Sequence, residues 1–290
     1  MSAWTWVPSG PCTVSGCVTP APRAAGPVRL AGRVLAVVVL VLVALPWTAV
    51  ARRLPASVLA SATMAQARLL LRVLGVRVRV QEGFTVFGGT AAPRAAAVPG
   101  PEGALIVANH VSWLDPVVVA AVLPCRALAK SEIARWPVLR TLVAGSGAVF
   151  IDRERLSLLP GTVRQVADVL RGGRSVVAFP EGTTWCGRGT GPFRAAVFQA
   201  AVDAGAPVRP VALRYGDAGG ALATAPAFVG EDSLLASLGR ILRSRGLVVE
   251  VTLFPLLAHE PGATRRDLAG LARATVSGDL PRIHEVPAAA

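Results

Sequence analysis

Ala104-Leu105-Ile106-Val107-Ala108-Asn109-His110-Val111-Ser112-Trp113-Leu114-Asp115-Pro116 runs from a short apolar segment through a polar break to a proline at which a helix can start. An apolar run this short, closed by Gly103 on one side and Asn109 on the other, reads as a strand buried on both faces. The next apolar stretch, Val117 to Val122, reads as a helix. A histidine thus lies just past a strand, and a carboxylate follows it by five positions. On an ideal helix five residues subtend about 140°, so His110 and Asp115 can face each other only if a turn lies between them. Pro116 supports that turn, because the residue before a proline is disfavoured in the helical region. Neutral imidazole accepts a proton near physiological pH, and a carboxylate on its second nitrogen fixes the tautomer. Taken alone, the pair is equally compatible with a strand-end histidine and a helix-capping aspartate.

The same texture recurs along the chain. Val76, Val78 and Val80 alternate with Arg77 and Arg79, which predicts a half-buried strand. Further strands are predicted at Arg126 to Ala129, Ala148 to Ile151, Ser175 to Phe179, Val208 to Leu213 and Leu247 to Phe254, with helices at Thr162 to Leu170, Phe193 to Ala204 and Leu234 to Arg243. A Gly/Ala/Pro-rich loop covers Gly88 to Gly103. Alternation of this kind predicts an α/β domain with a mixed, largely parallel sheet flanked by helices. In such sheets ligands sit at the carboxyl ends of the strands. Pro210 within Val208 to Val211 requires an edge position or a bulge.

Upstream the texture is different. Residues 1–28 are rich in Pro, Gly, Ala, Ser and Thr without periodicity, the composition of a disordered tail. Val34 to Val50 is uncharged and apolar between Arg29/Arg33 and Arg52/Arg53, and Ser57 to Leu74 follows Pro55 as a second helical candidate. Residues 29–75 are therefore expected to form a membrane-anchoring helical hairpin, with arginine stems covering apolar surface. Packing of the second helix on the soluble domain alone, and cleavage of an export signal after Ala49-Val50-Ala51, are the alternatives. The remaining domain spans 76–290.

Composition narrows the function. Among 290 residues, 53% are hydrophobic and the net charge is +13, carried almost wholly by arginine since Lys130 is the only lysine. Mean hydropathy is +0.54. This balance favours contact with membrane phospholipids. Nucleic acid is not expected as a partner, for no basic stripe interleaved with aromatics appears and aromatics make up only 5%. Cys12, Cys17, Cys125 and Cys186 are scattered and His259 and His284 stand outside ligand spacing, so neither a disulfide framework nor a metal site is indicated. No cofactor is expected.

Three more strand-end motifs carry polar groups. Gly147-Ala148-Val149-Phe150-Ile151-Asp152-Arg153 ends in an arginine able to bind phosphate through two bonds, or to form a surface ion pair. Phe179-Pro180-Glu181-Gly182-Thr183-Thr184 supplies a carboxylate, a flexible glycine and two hydroxyls, or simply a capped strand-to-helix turn. Pro207-Val208-Arg209-Pro210-Val211 opens a strand. In this order and spacing the motifs resemble the four blocks of the glycerophospholipid acyltransferase family, best represented by bacterial 1-acylglycerol-3-phosphate acyltransferases. Asn109 to Asp115 matches the NHxxxxD block, Gly147 to Arg153 the GxxFIDR block, Phe179 to Thr183 the FPEGT block, and Val208 to Val211 the proline-containing block. The resemblance spans Val76 to Phe254, and Ala129-Lys130-Ser131-Glu132 with Pro137 looks like the family's lysine-bearing segment.

The resemblance implies that His110 is a general base oriented by Asp115. It would deprotonate a lysolipid hydroxyl for direct attack on an acyl thioester, with acyl-CoA or acyl carrier protein as donor. Arg153, Glu181, Gly182 and Thr183, with Lys130 and Arg209, would bind the phosphate and glycerol region of the acceptor. The expected product is phosphatidate from 1-acyl-sn-glycerol-3-phosphate, at the cytoplasmic face of the cell membrane. Trp185-Cys186-Gly187-Arg188-Gly189 departs from the shorter polar run of typical lysophosphatidate enzymes, which leaves lyso-ornithine lipid or another lysolipid as alternative acceptors. A lipid hydrolase, and a non-catalytic lipid-binding relative, are the readings from other classes.

Overall fold

A computed structural model describes residues 9–51, 53–83, 86–87, 90–91, 103–131, 145–152, 155–258 and 262–279. Its centre is a seven-stranded sheet in the order β1-β9-β8-β4-β7-β5-β6. The strands are β1 (Val76–Glu82), β4 (Leu105–Ala108), β5 (Arg126–Lys130), β6 (Val149–Ile151), β7 (Val176–Ala178), β8 (Val208–Gly216) and β9 (Leu247–Leu253), while β2 (Val86–Phe87) and β3 (Thr90–Ala91) form a separate hairpin. All neighbouring strands of the large sheet run parallel except β8 and β9. The mixed, largely parallel sheet read from the apolar runs is the observed one.

Strand alternation divides the core into two layers. Ile106, Ala108, Val177, Phe179, Val211, Leu213 and Tyr215 face one cluster, which includes residues of α3 (Ala56–Leu74), α4 (Asp115–Val122) and α7 (Leu234–Arg243). Leu105, Val107, Val176, Ala178, Val208 and Ala212 face the other, with α5 (Leu159–Arg171), α6 (Phe198–Ala204) and α8 (Arg265–Asp279). Every residue of β4 is buried, as its uninterrupted apolar run requires. In β1 only Val76 is buried and Val80 is 51% exposed, because this strand lies at the sheet edge.

Pro210 occupies an interior strand, paired with Val107 of β4. The ladder on its other side slips by one residue, from Val211 opposite Leu253 to Val208 opposite Leu257. Such a bulge tolerates a residue without an N–H.

The N-terminal region departs from expectation. The stretch read as a disordered tail contacts the domain over residues 12–25. Cys12 and Cys17 are buried, the one-turn helix α1 (Val14–Cys17) is capped by Thr13, and Ala25 N–H donates to Arg243 C=O at 2.7 Å. Composition predicted no self-contained core there, and the burial comes from docking onto another surface. α2 (Pro27–Ala51) leaves Leu35, Leu42 and Val43 more than 60% exposed, an apolar face without protein cover. By length and composition α2 and α3 are both capable of crossing a membrane. The two are nonetheless unlike: α3 buries Ala67, Leu71 and Leu74 in the core, and Arg68 Nε donates to Ala121 C=O of α4 at 2.7 Å. α3 ends at Gly75, whose φ of +77° favours glycine and releases the chain into β1.

Candidate active site

β4 stops at Ala108, and Asn109 prolongs its pairing with side-chain atoms instead of backbone. Its amide nitrogen donates to Leu213 C=O at 3.0 Å and its oxygen accepts from Leu213 N–H at 2.8 Å. The backbone is thereby free to turn while remaining fixed to β8. Leu114 caps α4, Pro116 occupies its first turn, and Asp115 is completely buried beneath the turn. Oδ2 of Asp115 accepts from Val111 N–H at 2.6 Å and Ser112 N–H at 2.8 Å, and lies 2.8 Å from His110 Nδ1. Oδ1 accepts from the Tyr215 hydroxyl at 2.7 Å. The turn required by the spacing therefore exists, and the carboxylate that orients the ring also holds the turn closed.

With Nδ1 assigned as the donor to Asp115, Nε2 is the nitrogen able to accept a proton. The His110 side chain is 15% exposed, and its ring stacks on Phe179 with centroids 4.2 Å apart and planes 19° from parallel. His110 N–H donates to Glu181 Oε2 at 2.6 Å, Gly191 N–H donates to Glu181 Oε1 at 2.6 Å, and Trp185 N–H donates to His110 C=O at 2.7 Å. The turn after β4 and the loop after β7 are thus stitched together on both sides of the histidine backbone. Burial pushes the Glu181 carboxyl up to about 8, against the two amide bonds and the positive charge of Arg273, which pull it down. Burial, with the charge of Asp115, raises Tyr215 well above its ordinary value, so it remains a neutral hydroxyl donor.

The expected substrate-binding residues divide in space. Gly182, at φ +75°, turns the chain after Glu181 and lines a cavity of about 420 Å³. That cavity is bounded by Leu128, Ile151, Val163, Val166, Phe179 and Val197 among others, with Asp152 and Arg194 as its charged members. Thr183 is partly exposed in the same loop. Lys130 ends β5 with an exposed side chain, in register with Ile151 at the end of β6. Arg153 lies outside the described residues, as do Glu132 and Pro137.

Two residues are placed otherwise than expected. Glu181 directs both carboxylate oxygens at backbone amides, so it holds the loops rather than presenting itself to a headgroup. Arg209 is only 2% exposed, level with Ile106 within the sheet, and its Nη1 donates to Phe254 C=O at 2.9 Å. It braces the end of β9 and is not part of the group around His110. Residues the motif reading did not assign a role also belong here: Asn109, Phe179 and Tyr215. Tyr215 left one signal, being the only tyrosine in the chain.

The cysteines are not scattered in space. Cys12, Cys17 and Cys186 are buried together, their sulfurs all within 4.8 Å of one another, beside the loop that bonds to His110.

The acyltransferase family model matches residues 90–214. A 1-acyl-sn-glycerol-3-phosphate acyltransferase of Neisseria gonorrhoeae is 42% identical over 151 residues, covering 52% of this chain and 59% of the relative. A lyso-ornithine lipid O-acyltransferase of Pseudomonas aeruginosa is 37% identical over 176 residues, covering 59% of this chain and 66% of the relative. The chain thus spans about three fifths of the length of the curated relatives it matches. The crystal structure of the 1-acyl-sn-glycerophosphate acyltransferase PlsC from Thermotoga maritima superposes with a TM-score of 0.55 at 19% identity, over 76% of this chain and 77% of that one, which establishes a shared fold. Over residues 90–214 the chain is similar to acyltransferases, and its architecture is shared with the Thermotoga maritima structure.

Proposed function

We propose that the protein transfers a long-chain acyl group from a thioester donor to the free hydroxyl of a lysophospholipid, with 1-acyl-sn-glycerol-3-phosphate as acceptor and phosphatidate as product. The observation that carries this reading is the bond between His110 Nδ1 and the fully buried Asp115 at 2.8 Å, on a ring stacked against a wall of a large apolar cavity. His110 Nε2 takes the proton from the acceptor hydroxyl as its oxygen attacks the thioester carbonyl. Asp115 stabilises the imidazolium that forms. The tetrahedral intermediate collapses to the ester, and the imidazolium returns its proton to the departing thiolate. The bond from oxygen to acyl carbon forms, the bond from carbon to sulfur breaks, and no acyl-enzyme intervenes.

A cavity of about 420 Å³ lies within the range of small-ligand sites and is lined mainly by aliphatic side chains, which suits a fatty acyl chain. Phe179 belongs both to that cavity and to the ring stack, which brings acyl chain and base together. Gly182, Thr183, Lys130 and Arg153 are the proposed contacts for the acceptor phosphate and glycerol. No cofactor is needed in this scheme, and the donor is acyl-CoA or acyl carrier protein. We place the enzyme at the cytoplasmic face of the membrane, where such donors occur, with the exposed face of α2 in lipid.

The relatives named for lyso-ornithine lipid, together with the Trp185–Gly189 stretch beside His110, favour that lipid as the second acceptor to test. Labelled acyl-CoA would be presented with lysophosphatidate, lysophosphatidylglycerol and lyso-ornithine lipid in turn. Phosphatidate as the fastest-formed product supports the reading. Faster acylation of lyso-ornithine lipid reassigns the acceptor, and fatty acid released at equal rate without any acceptor overturns transfer in favour of hydrolysis.

A further inference from the structure

Three thiols that acyl transfer does not use meet behind the loop after β7. Cys12 and Cys17 come from the N-terminal segment and Cys186 from the loop, and all three are buried with their sulfurs within 4.8 Å of one another. Local structure explains how the two N-terminal sulfurs reach one place. Thr13 Oγ1 accepts from Gly16 N–H at 3.1 Å and Thr13 C=O accepts from Cys17 N–H at 3.0 Å, so a single tight turn folds Cys17 back toward Cys12. Beyond the turn Thr19 N–H donates to the Thr224 hydroxyl at 2.9 Å, which fixes the segment to the domain. On the opposite side a Cβ on Gly230 would lie 3.3 Å from Cys12 C=O, a close approach of the two segments.

A buried cysteine can serve as a small apolar side chain. Three converging sulfurs drawn from such distant parts of the sequence need more explanation than that. A disulfide uses two of them and leaves the third in place. Cys12 and Cys17, separated by four residues, have a spacing found for paired zinc ligands, and all-sulfur donors select soft ions over magnesium or calcium.

We propose that Cys12, Cys17 and Cys186 bind one zinc ion through three thiolates, with a solvent molecule in the fourth position, and that the ion clamps the N-terminal segment onto the loop beside His110. Tetrahedral zinc with bonds of about 2.3 Å sets its sulfurs about 3.8 Å apart, so the 4.8 Å cluster contracts by about 1 Å or less. Bound as three thiolates, the sulfurs leave a net charge of −1 at the site. Because Trp185 N–H bonds to His110 C=O one residue before Cys186, the ion reaches the histidine backbone through one peptide and one hydrogen bond.

The test is elemental analysis of the whole protein purified in detergent without added metal or chelator. One equivalent of zinc per chain is expected, and exchange for cobalt should produce thiolate-to-cobalt charge-transfer absorption. Cys17→Ser should lower bound zinc at least tenfold, whereas Cys125→Ser, outside the cluster, should retain it. If Cys17→Ser does not fold, the wild type still decides: less than a tenth of an equivalent of zinc after incubation with zinc and no cobalt band overturns the site. A disulfide joining two of these residues, found by mass mapping of the non-reduced protein, overturns it as well.

Discussion

Two buried carboxylates flank His110, and they do different work. Asp115, at the turn after β4, bonds the ring of His110 and a tyrosine hydroxyl as well as two backbone amides. Glu181, in the loop after β7, bonds among the described residues to backbone amides, one of them that of His110 itself. A carboxylate on the ring acts on the proton-transfer step directly. One on the backbone acts on where the ring is held. Burial and proximity alone therefore do not identify the group that takes part in chemistry; the partner atoms do.

Removing the object both carboxylates serve has the largest expected effect. His110→Ala should lower acyl transfer from labelled acyl-CoA to lysophosphatidate by about 10³-fold or more, within the range for loss of a positioned general base. Turnover equal to wild type would remove His110 from the mechanism. Asp115→Asn comes next, with an expected fall of about 10²- to 10³-fold in kcat, because an amide cannot accept from every donor now crowded around it. Either the ring turns over to the other tautomer or a backbone N–H loses its acceptor. A drop confined to KM would mean that Asp115 shapes the acceptor site instead.

Much of this arrangement is legible in sequence, and the illegible part has a physical character of its own. Each segment from Val76 to Phe254 that read as a strand lies in the large sheet: the central strands, buried on both faces, write an uninterrupted apolar signal, and the edge strand β1 an alternating one. The turn between His110 and Asp115 followed from helical geometry and Pro116. By contrast, the docking of residues 12–25, the meeting of Cys186 with Cys12 and Cys17, and the bond from Tyr215 to Asp115 depend on residues far apart in sequence, which no local pattern records. Glu181 was legible as a conspicuous carboxylate but not as a brace, because its partners are backbone amides that carry no residue identity. α8 went unread because Arg265 to Asp279 mixes glycine, alanine and charge, yet it brings the Arg273 charge to bear on Glu181.

Glu181→Gln separates bracing from chemistry. One amide N–H would face a side-chain NH2 in place of an oxygen, costing about 1 to 3 kcal/mol of stability and about tenfold to 10²-fold in kcat as the ring shifts. The same variant yields a pH test. The Glu181 carboxyl is raised in the folded protein from 4.5 to about 8, so the folded state holds its proton more tightly than the unfolded chain does. The resulting contribution to stability is fully present below 4.5 and is lost as pH rises through about 8. Thermal unfolding from pH 5 to pH 9 should show wild type losing stability relative to Glu181→Gln, with a slope of at most about 1.4 kcal/mol per pH unit. Parallel curves would show that Glu181 is already ionised in the folded protein at pH 5.

Tyr215→Phe should have the smallest effect and makes the finest distinction. The hydroxyl reaches Asp115 Oδ1 at 2.7 Å, on the oxygen that does not touch the histidine. Removing it leaves the three donors on Oδ2 in place, so the ring keeps its tautomer and the turn keeps its closure. The loss is one hydrogen bond to a buried carboxylate, about 1 to 3 kcal/mol of stability. The expected kinetic change is therefore less than about tenfold in kcat, with KM for lysophosphatidate unaltered. If kcat falls as far as in Asp115→Asn, the tyrosine is what aims the carboxylate, and the comparison between Asp115 and Glu181 must be redrawn with Tyr215 on the side of chemistry. Lower thermal stability with kcat within about tenfold of wild type would place Tyr215 with Glu181, among the residues that only hold the site in shape.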